Sequence, residues 1–261
     1  MIEYRLYSLP NMLRLLLEEA DAFICEEEFK GITTYLIYSE DDISDLLQEL
    51  NIQFDAVKTE ETGWQDRWKE YIKEDYLTDN LFFIFEKGKT FQDNRKTIYI
   101  NPSLAFGTGT HATTQAAARL LEPVSYSSTL LDVGTGSGIL AITASLSGAK
   151  SIDAFDIDPM TLQNSQENIS NNNCSNISVW TGEISSIKDK SYDIVCANII
   201  SSVLLSIKDD IERLAEKYII YSGILVSEYE ELMPVLKGSM WEEDEKIIIN
   251  EWVGIRLVKN I

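Results

Sequence analysis

The stretch TLLDVGTGSGILAI, residues 129–142, decides the fold. Its first half is an apolar run typical of a buried parallel strand, and its second half has the composition of a helix. Gly134, Gly136 and Gly138 stand between the two. A glycine turn directly after a buried strand and directly before a helix predicts a nucleotide-binding loop in an α/β sheet, because glycine lets the backbone approach a ligand closely.

Two carboxylates near this loop restrict the class of ligand that it can bind. The glycine spacing is G-x-G-x-G, whereas the dinucleotide fingerprint that seats a pyrophosphate on a helix N-terminus is G-x-G-x-x-G. Asp132 precedes the first glycine, and Asp156 ends the next predicted strand, SIDAFDID. A carboxylate at Asp156 can accept both ribose hydroxyls of an adenosine, and Asp132 can face a cationic amino acid group. The pattern favours S-adenosylmethionine over a dinucleotide, and a plain glycine turn with solvent-facing acids is the simpler alternative.

A second glycine loop precedes the first in the chain, within NPSLAFGTGTHATTQAAARLLE, residues 101–122. Thr110 and Thr114 follow its glycines, Gly107 and Gly109, and a helix is predicted from Thr114. The hydroxyls are placed either to cap that helix or to face a ligand. His111, the only histidine in the chain, suits a general base or a cofactor contact, and we favour the contact.

Asn198 is the candidate on the methyl-acceptor side. It ends the predicted strand in YDIVCANII, at the edge where α/β sheets bind ligands. Its amide oxygen can accept a hydrogen bond from an incoming amine and so hold the nitrogen lone pair toward a methyl donor. The amine must be neutral to react, whereas a free lysine is mostly protonated at pH 7. The alternative is that Asn198 only caps the next segment.

Three regions are predicted along the chain. Residues 1–57 alternate strand, helix, strand, helix, strand, which favours a small ferredoxin-like α+β unit. Residues 58–75 indicate a linker helix in which Trp64 and Trp68 share one face, for packing between domains rather than for gripping a substrate. Residues 76–261 predict an α/β domain with parallel strands and a last strand pair around KIIINEWVGIRLVK.

Composition restricts the classes of partner and compartment. The 261 residues carry a formal net charge of −21, which argues against a broad nucleic-acid surface and favours a basic protein partner, although acidity can also serve solubility alone. We find no apolar run of the ~18 residues that span a membrane and no signal peptide, so a cytoplasmic location is expected. Cys25, Cys174 and Cys196 are expected to be reduced thiols, and no metal site is expected.

Five motifs together resemble one family, the PrmA-type ribosomal protein methyltransferases, which methylate amines of protein eleven of the large ribosomal subunit. They are NPSLAFGTGTHATT, LLDVGTGSGILAI, DIDPMTLQNSQEN, ANII and SGIL, in the family's order. The resemblance implies a class I S-adenosylmethionine-dependent methyltransferase with a Rossmann-like seven-stranded sheet, and a substrate-recognition role for residues 1–57. It also implies that both glycine loops fold over one cofactor. The implied cofactor contacts are Thr114, Gly134, Asp156 and Asn198, with Thr110 and His111 lining the same pocket.

Three positions depart from the family pattern without removing a polar contact: Asn101 where aspartate is frequent, Ala112 where proline is usual, and Ile200 within the usual NIL.

Other functions remain as alternatives. The same fold can methylate another protein or a small-molecule amine, and a non-catalytic adenosine-binding module is a further possibility. A dehydrogenase ranks last, because the third glycine is misplaced for a pyrophosphate turn.

Overall fold

The computed structural model describes residues 2–10, 13, 17, 23–29, 32–39, 42–58, 75–85, 95–101 and 109–260. The chain forms two compact units, Met1–Lys73 and Glu74–Ile261. Within the described residues, no helix is long and apolar enough to cross a membrane. Cys174 and Cys196 are free and buried.

The first unit is built on a four-stranded antiparallel sheet. Its strands are β1 (Ile2–Leu6), β2 (Phe23–Phe29), β3 (Ile32–Ser39) and β4 (Phe54–Lys58), in the order β2-β3-β1-β4. Helix α1 (Ser44–Glu49) precedes β4, and Leu13 and Leu17 are helical between β1 and β2. Tyr4, Ile37 and Leu47 are fully buried in the core of this unit, with Leu13 and Leu17.

This sheet has one strand more than predicted. The apolar stripe of NMLRLLLEEADAF, residues 11–23, predicts a helix, but β2 already begins at Phe23, and no strand was expected at Phe23–Phe29. The run CEEEF carries three consecutive glutamates and lacks an alternating apolar pattern. β2 lies at the edge of its sheet, where only one neighbouring strand shields it, so its sequence is less apolar than that of a central strand.

The second unit is an α/β domain with a small sheet and a large one. The small sheet has the order β5-β6-β7. The large sheet has the order β10-β9-β8-β11-β12-β14-β13. The strands are β5 (Asp75–Tyr76), β6 (Leu81–Ile84), β7 (Lys96–Tyr99), β8 (Thr129–Val133), β9 (Ser151–Asp156), β10 (Ile177–Thr181), β11 (Tyr192–Asn198), β12 (Ala215–Leu225), β13 (Trp241–Ile249) and β14 (Trp252–Lys259). The helices are α2 (Ala112–Leu121), α3 (Ile139–Leu146), α4 (Pro159–Asn171), α5 (Ser201–Leu214) and α6 (Val226–Lys237).

The large sheet is buried on both faces. Leu130 and Ile194 pack in one apolar cluster with Ile142 of α3, whereas their neighbours in sequence pack in a second cluster with α5. Side chains alternate between the faces of a strand, so a continuous apolar run such as TLLDV is required where helices cover both faces. The predicted α/β sheet of seven strands is therefore confirmed.

Six strands of the large sheet run in the same direction, and β14 alone runs opposite to them. β14 is antiparallel to both β12 and β13, and it lies between them although it follows β13 in the chain. The two strands are joined by Asn250 and Glu251, and Asn250 has φ +52°. The predicted last strand pair is thus present as a hairpin that docks on β12 through its second strand.

Three elements of this unit differ from the sequence-based expectation. Strand β10 was not predicted; it is an edge strand, half-buried along its length. The stretch LLSIKDDIERLAEKY, residues 204–218, predicts a helix, whereas the observed helix runs from Ser201 to Leu214. The chain then passes directly into β12 without a glycine or proline to mark the boundary. Helix α6 was not predicted either, because its N-cap is Leu225 and no Ser, Thr, Asp or Asn marks its start. Most of the predicted linker helix, including Trp64 and Trp68, lies outside the described residues.

Candidate active site

Three predicted site residues end three neighbouring parallel strands. Asp132 lies near the end of β8, Asp156 is the last residue of β9, and Asn198 is the last residue of β11. β8 pairs with β9 on one side and β11 on the other, so the three side chains lie along one edge of the sheet. The strand order reverses between β8 and β11, and ligands of open α/β sheets bind at such a reversal.

The loop between β8 and α3 is shaped for close approach of a ligand. Gly134, Gly136 and Gly138 have φ of +72°, +51° and +83°, values that residues with a side chain rarely adopt. The N–H groups of Gly134 and Thr135 both donate to the carbonyl oxygen of Phe155 at 3.0 Å. A Cβ atom on Gly134 would lie 2.6 Å from Cγ2 of Ile199, so a larger residue does not fit.

Asp156 holds this loop in place. Its Oδ2 accepts a hydrogen bond from the N–H of Gly136 at 2.9 Å, and its Oδ1 accepts one from the N–H of Asp158 at 3.1 Å. A carboxylate has about four acceptor sites, so capacity for ligand hydroxyls remains. The side chain of the next residue, Ile157, is apolar and 71% exposed. The strand end therefore presents a carboxylate beside an uncovered apolar surface.

Asp132 is a buried carboxyl group with one unsatisfied oxygen. The residue is 1% exposed, and Oδ2 accepts a hydrogen bond from the hydroxyl of Thr135 at 2.7 Å. Oδ1 is buried with no hydrogen-bond partner in the structure. Burial raises the pKa of Asp132 from 3.8 to about 6, against the lowering effects of the Thr135 hydroxyl and the backbone N–H of Ala141. Because an unpaired buried acceptor is costly, Oδ1 suits a donor supplied by a ligand.

Asn198 has the same feature on the other side of the strand reversal. Its Nδ2 donates to Oγ1 of Thr114 at 3.3 Å, which fixes the orientation of the amide. Its Oδ1 is buried with no hydrogen-bond partner. Thr114 is fully buried in α2, and that helix is tied to β12 by a hydrogen bond from the Ser222 hydroxyl to the carbonyl of Thr113 at 2.9 Å. The strand end thus holds an oriented acceptor.

The first glycine loop is described from Gly109 onward, and Gly107 lies outside the described residues. Gly109 has φ +96°, and a Cβ on it would lie 2.8 Å from Cδ1 of Ile139, the first residue of α3. The end of this loop therefore packs on the start of the helix that follows the other glycine loop. Thr110 is exposed, and its carbonyl accepts a hydrogen bond from Nε2 of Gln115 at 3.4 Å.

His111 is the N-cap of α2. Its Nδ1 accepts a hydrogen bond from the N–H of Thr113 at 3.3 Å and lies 2.7 Å from the Thr113 hydroxyl oxygen. Its ring makes an edge contact with Trp252, with centroids 5.2 Å apart. Trp252 begins β14, so the C-terminal hairpin supports the start of α2. The capping alternative for this loop thus applies to His111 rather than to Thr110.

The structure brings most of the predicted site residues together at one edge: Thr114, Asp132, Gly134, Gly136, Gly138, Asp156 and Asn198. Sequence analysis missed Gly182 and Glu183, which follow β10 beside Asp156, where the N–H of Gly182 donates to the Asp156 carbonyl at 2.9 Å. A glycine directly after the stretch ISVWT was the available signal. In the described part of the chain, no group of three or more His, Cys, Asp or Glu side chains is arranged to hold a metal ion.

The sheet order, the glycine loop after β8 and the acidic residue at the end of β9 define a class I S-adenosylmethionine-dependent methyltransferase. A solved methyltransferase complexed with SAH shares this fold, with a TM-score of 0.50 and 12% identity over 57% of this chain and 50% of that one. The cofactor of this chain is S-adenosylmethionine. Its fit is supported by the two unpartnered buried acceptors and by a glycine loop that has no room for Cβ atoms.

The chain belongs to the ribosomal protein L11 methyltransferase (PrmA) family, whose model matches residues 17–260. The ribosomal protein L11 methyltransferase of Streptococcus pyogenes is 34% identical over 213 residues, which cover 79% of this chain and 67% of that protein. The crystal structure of the ribosomal protein L11 methylase from Lactobacillus delbrueckii subsp. bulgaricus has 28% identity and a TM-score of 0.67, covering 73% of this chain and all of that one.

Proposed function

We propose that this methyltransferase transfers methyl groups to lysine and N-terminal amino groups of ribosomal protein L11. The observation that carries the proposal is the amide of Asn198, whose nitrogen is held by Thr114 while its buried oxygen has no partner. The names of the relatives supply the protein substrate. The charge of −21 suits a basic client, and the cytoplasm is the compartment we propose for both.

The residues that hold the cofactor in this proposal are those at the strand ends. Asp156 accepts the ribose hydroxyls with the acceptor sites that Gly136 and Asp158 leave available. Asp132 accepts a hydrogen bond from the ammonium of the amino acid portion through Oδ1. Gly134, Gly136 and Gly138 line the loop, and Thr114 supports the wall next to Asn198.

The acceptor amine is held and oriented by Asn198 in this mechanism. S-adenosylmethionine supplies, when bound, a methyl group on a sulfonium, which is already a strong electrophile. Oδ1 of Asn198 accepts an N–H from the neutral amine, so the nitrogen lone pair faces the methyl group and the reaction depends on positioning. Burial of the amine beside this edge lowers its pKa and favours the neutral form. His111, engaged with Thr113 and Trp252, supports the wall of the pocket instead of accepting the proton.

Residues 1–57 recognise the ribosomal protein in this proposal, residues 58–75 link the two parts, and residues 76–261 carry the chemistry. Support comes from the family match and from the compact first unit, whose sheet and core involve no residue of the active-site edge. The match to the family model begins at residue 17, so it covers the catalytic domain but does not include β1 of the first unit.

The test is mass spectrometry of purified L11 after incubation with the enzyme and S-adenosylmethionine. The expected result is mass gain in one-methyl steps on lysines or the N-terminal amine, absent with the Asn198→Ala variant. If L11 gains no mass while calorimetry shows S-adenosylmethionine bound, the client is a different protein or a small-molecule amine. Methylation by Asn198→Ala at the wild-type rate would contradict the acceptor role of this residue.

A further inference from the structure

Strand β7 lies at the edge of the small sheet, yet its outer backbone groups are bonded. On the inner side, the N–H of Ile100 donates to the carbonyl of Ile84 in β6 at 2.9 Å. On the outer side, Asn172 accepts from the N–H of Tyr99 at 2.9 Å and donates to its carbonyl at 2.6 Å. The same arrangement recurs at Asn101, whose N–H donates to Oδ1 of Asn168 at 2.7 Å.

The carbonyl of Asn101 is bonded as well, by Nδ2 of Asn164 at 3.1 Å. Asn164, Asn168 and Asn172 follow at intervals of four residues and share one face of α4 and its C-terminal cap. Four residues of a helix rise about 6.0 Å, and two residues of a strand advance about 6.6 Å. A row of amides at this helical interval therefore matches the outward-facing groups of Tyr99 and Asn101. We call these three side chains the asparagine ladder.

Asn168 differs from the other two members of the ladder. It is fully buried, and its Nδ2 donates to the carbonyl of Ser137 at 2.9 Å as well as to Oδ1 of Asn164 at 3.3 Å. Ser137 lies in the glycine loop between β8 and α3. Asn101 is the residue from which the chain continues toward the other glycine loop. One side chain thus bonds the backbone of both loop regions.

A second contact joins the same two loops without the ladder. Gly109 packs on Ile139, directly after the glycine loop that contains Ser137. The first loop region is therefore fixed to the second at two places, by Asn168 before it and by Gly109 at its end.

We propose that Asn168 is a positioning residue: it joins the backbone of Asn101, at the end of the small sheet, to the carbonyl of Ser137 and so holds the glycine loop between β8 and α3 in its cofactor-binding conformation. Asn172 supports the same strand without a bond to the glycine loop. The inference rests on the cofactor site described under the proposed function, and it adds a residue of α4 that has no direct contact with the ligand. Loss of the Asn168 amide removes the hydrogen bond that it donates to the Ser137 carbonyl, which loosens the loop that Asp156 also holds.

The experiment compares Asn168→Ala and Asn168→Asp with the matched control Asn172→Ala. SAH binding by calorimetry reports the cofactor site without methyl transfer, the melting temperature reports the fold, and hydrogen exchange reports the amides of residues 134–138. Asn168→Asp keeps an acceptor for the N–H of Asn101 and removes the donor to Ser137, so it tests the bridge if Asn168→Ala does not fold.

We expect both Asn168 variants to bind SAH about tenfold more weakly and to exchange faster at residues 134–138. We expect Asn172→Ala to lower the melting temperature while SAH affinity falls less than about threefold. Equal loss of affinity in Asn172→Ala, or unchanged affinity and exchange in both Asn168 variants, would overturn the proposal. If the wild-type protein itself fails to bind SAH, the assigned cofactor site is wrong, while the exchange comparison still decides whether Asn168 holds the loop of residues 134–138.

Discussion

Replacing Asp132 by asparagine should make the ligand-free protein more stable and the cofactor complex weaker. The folded-state pKa of Asp132 is raised from 3.8 to about 6 by burial. A carboxyl group whose pKa is raised in the folded state contributes most to stability below its unfolded-state pKa. This contribution is lost as the pH rises from about 4 to about 6. Above about pH 6 the wild-type protein therefore carries the cost of a buried charge, about 3 kcal/mol as an upper bound.

The neutral amide of Asp132→Asn removes this cost and keeps an acceptor for the Thr135 hydroxyl. We expect the melting temperature at pH 8 to rise by roughly 5 °C, with the difference from wild type vanishing near pH 4. S-adenosylmethionine should bind at least about tenfold more weakly, because a charge-assisted hydrogen bond is lost. Differential scanning calorimetry across pH and isothermal titration calorimetry measure the two effects.

Asp193→Asn is the matched control with the opposite sign. Asp193 lies at the other end of β11, where it accepts hydrogen bonds from Thr129 and pairs with Lys217 at 2.8 Å. Burial alone would raise the pKa of Asp193, but hydrogen bonds from Lys217 and Thr129 outweigh it and lower the pKa. This variant should be less stable at pH 8 and bind the cofactor normally. An Asp132→Asn protein that melts at or below the wild-type temperature at pH 8 would refute the reasoning, since Oδ1 would then have a partner already.

Three further substitutions probe the same edge of the sheet. Asn198→Ala should lower kcat more than it raises the cofactor Kd, because Oδ1 faces the acceptor, and steady-state kinetics with calorimetry separate the two; a change in Kd alone would exclude the acceptor role. Asp156→Ala should raise the cofactor Kd at least about tenfold, since it removes the ribose acceptor and frees the N–H of Gly136, and an unchanged Kd would contradict this. Gly134→Ala should destabilise the protein by about 1–3 kcal/mol, because of its φ of +72° and the contact with Ile199. Adding Ile199→Ala should restore part of the lost free energy of unfolding, measured in urea. If it restores none, the whole effect comes from the backbone conformation.

The central strands and the site residues at their ends could be predicted, because a strand that is buried on both faces has a continuous apolar run in its sequence. TLLDV and SIDAFD are largely apolar strands with a carboxylate at the last or next-to-last residue, and their positions in the sheet placed Asp132 and Asp156 where a ligand binds. Two strands that were not predicted, β2 and β10, are edge strands of their sheets. A strand with one neighbour tolerates polar residues on its open side, so CEEEF and ISVWT carry weaker signals.

Side-chain to backbone bonds could not be predicted from pattern alone. Asn168 reads as an ordinary polar residue of a surface helix, yet it is fully buried because it satisfies a strand edge and a loop carbonyl at once. Such hydrogen bonds depend on how a helix and a strand are positioned along each other. The apolar periodicity of either segment does not encode that position. His111 illustrates the same limit, since its cap and its contact with Trp252 require the C-terminal hairpin to be in place.

The position of β14 between β12 and β13 constrains the order in which the large sheet can assemble. β13 emerges from the preceding helix first, but the edge of β12 must stay open for β14. The hairpin closes through a two-residue connection, so its own pairing is local and fast compared with docking on β12. A premature pairing of β13 with β12 would have to dissociate before Trp252 could reach His111. Maturation of the pocket wall is therefore a late folding event, and slow refolding phases should coincide with the appearance of SAH binding.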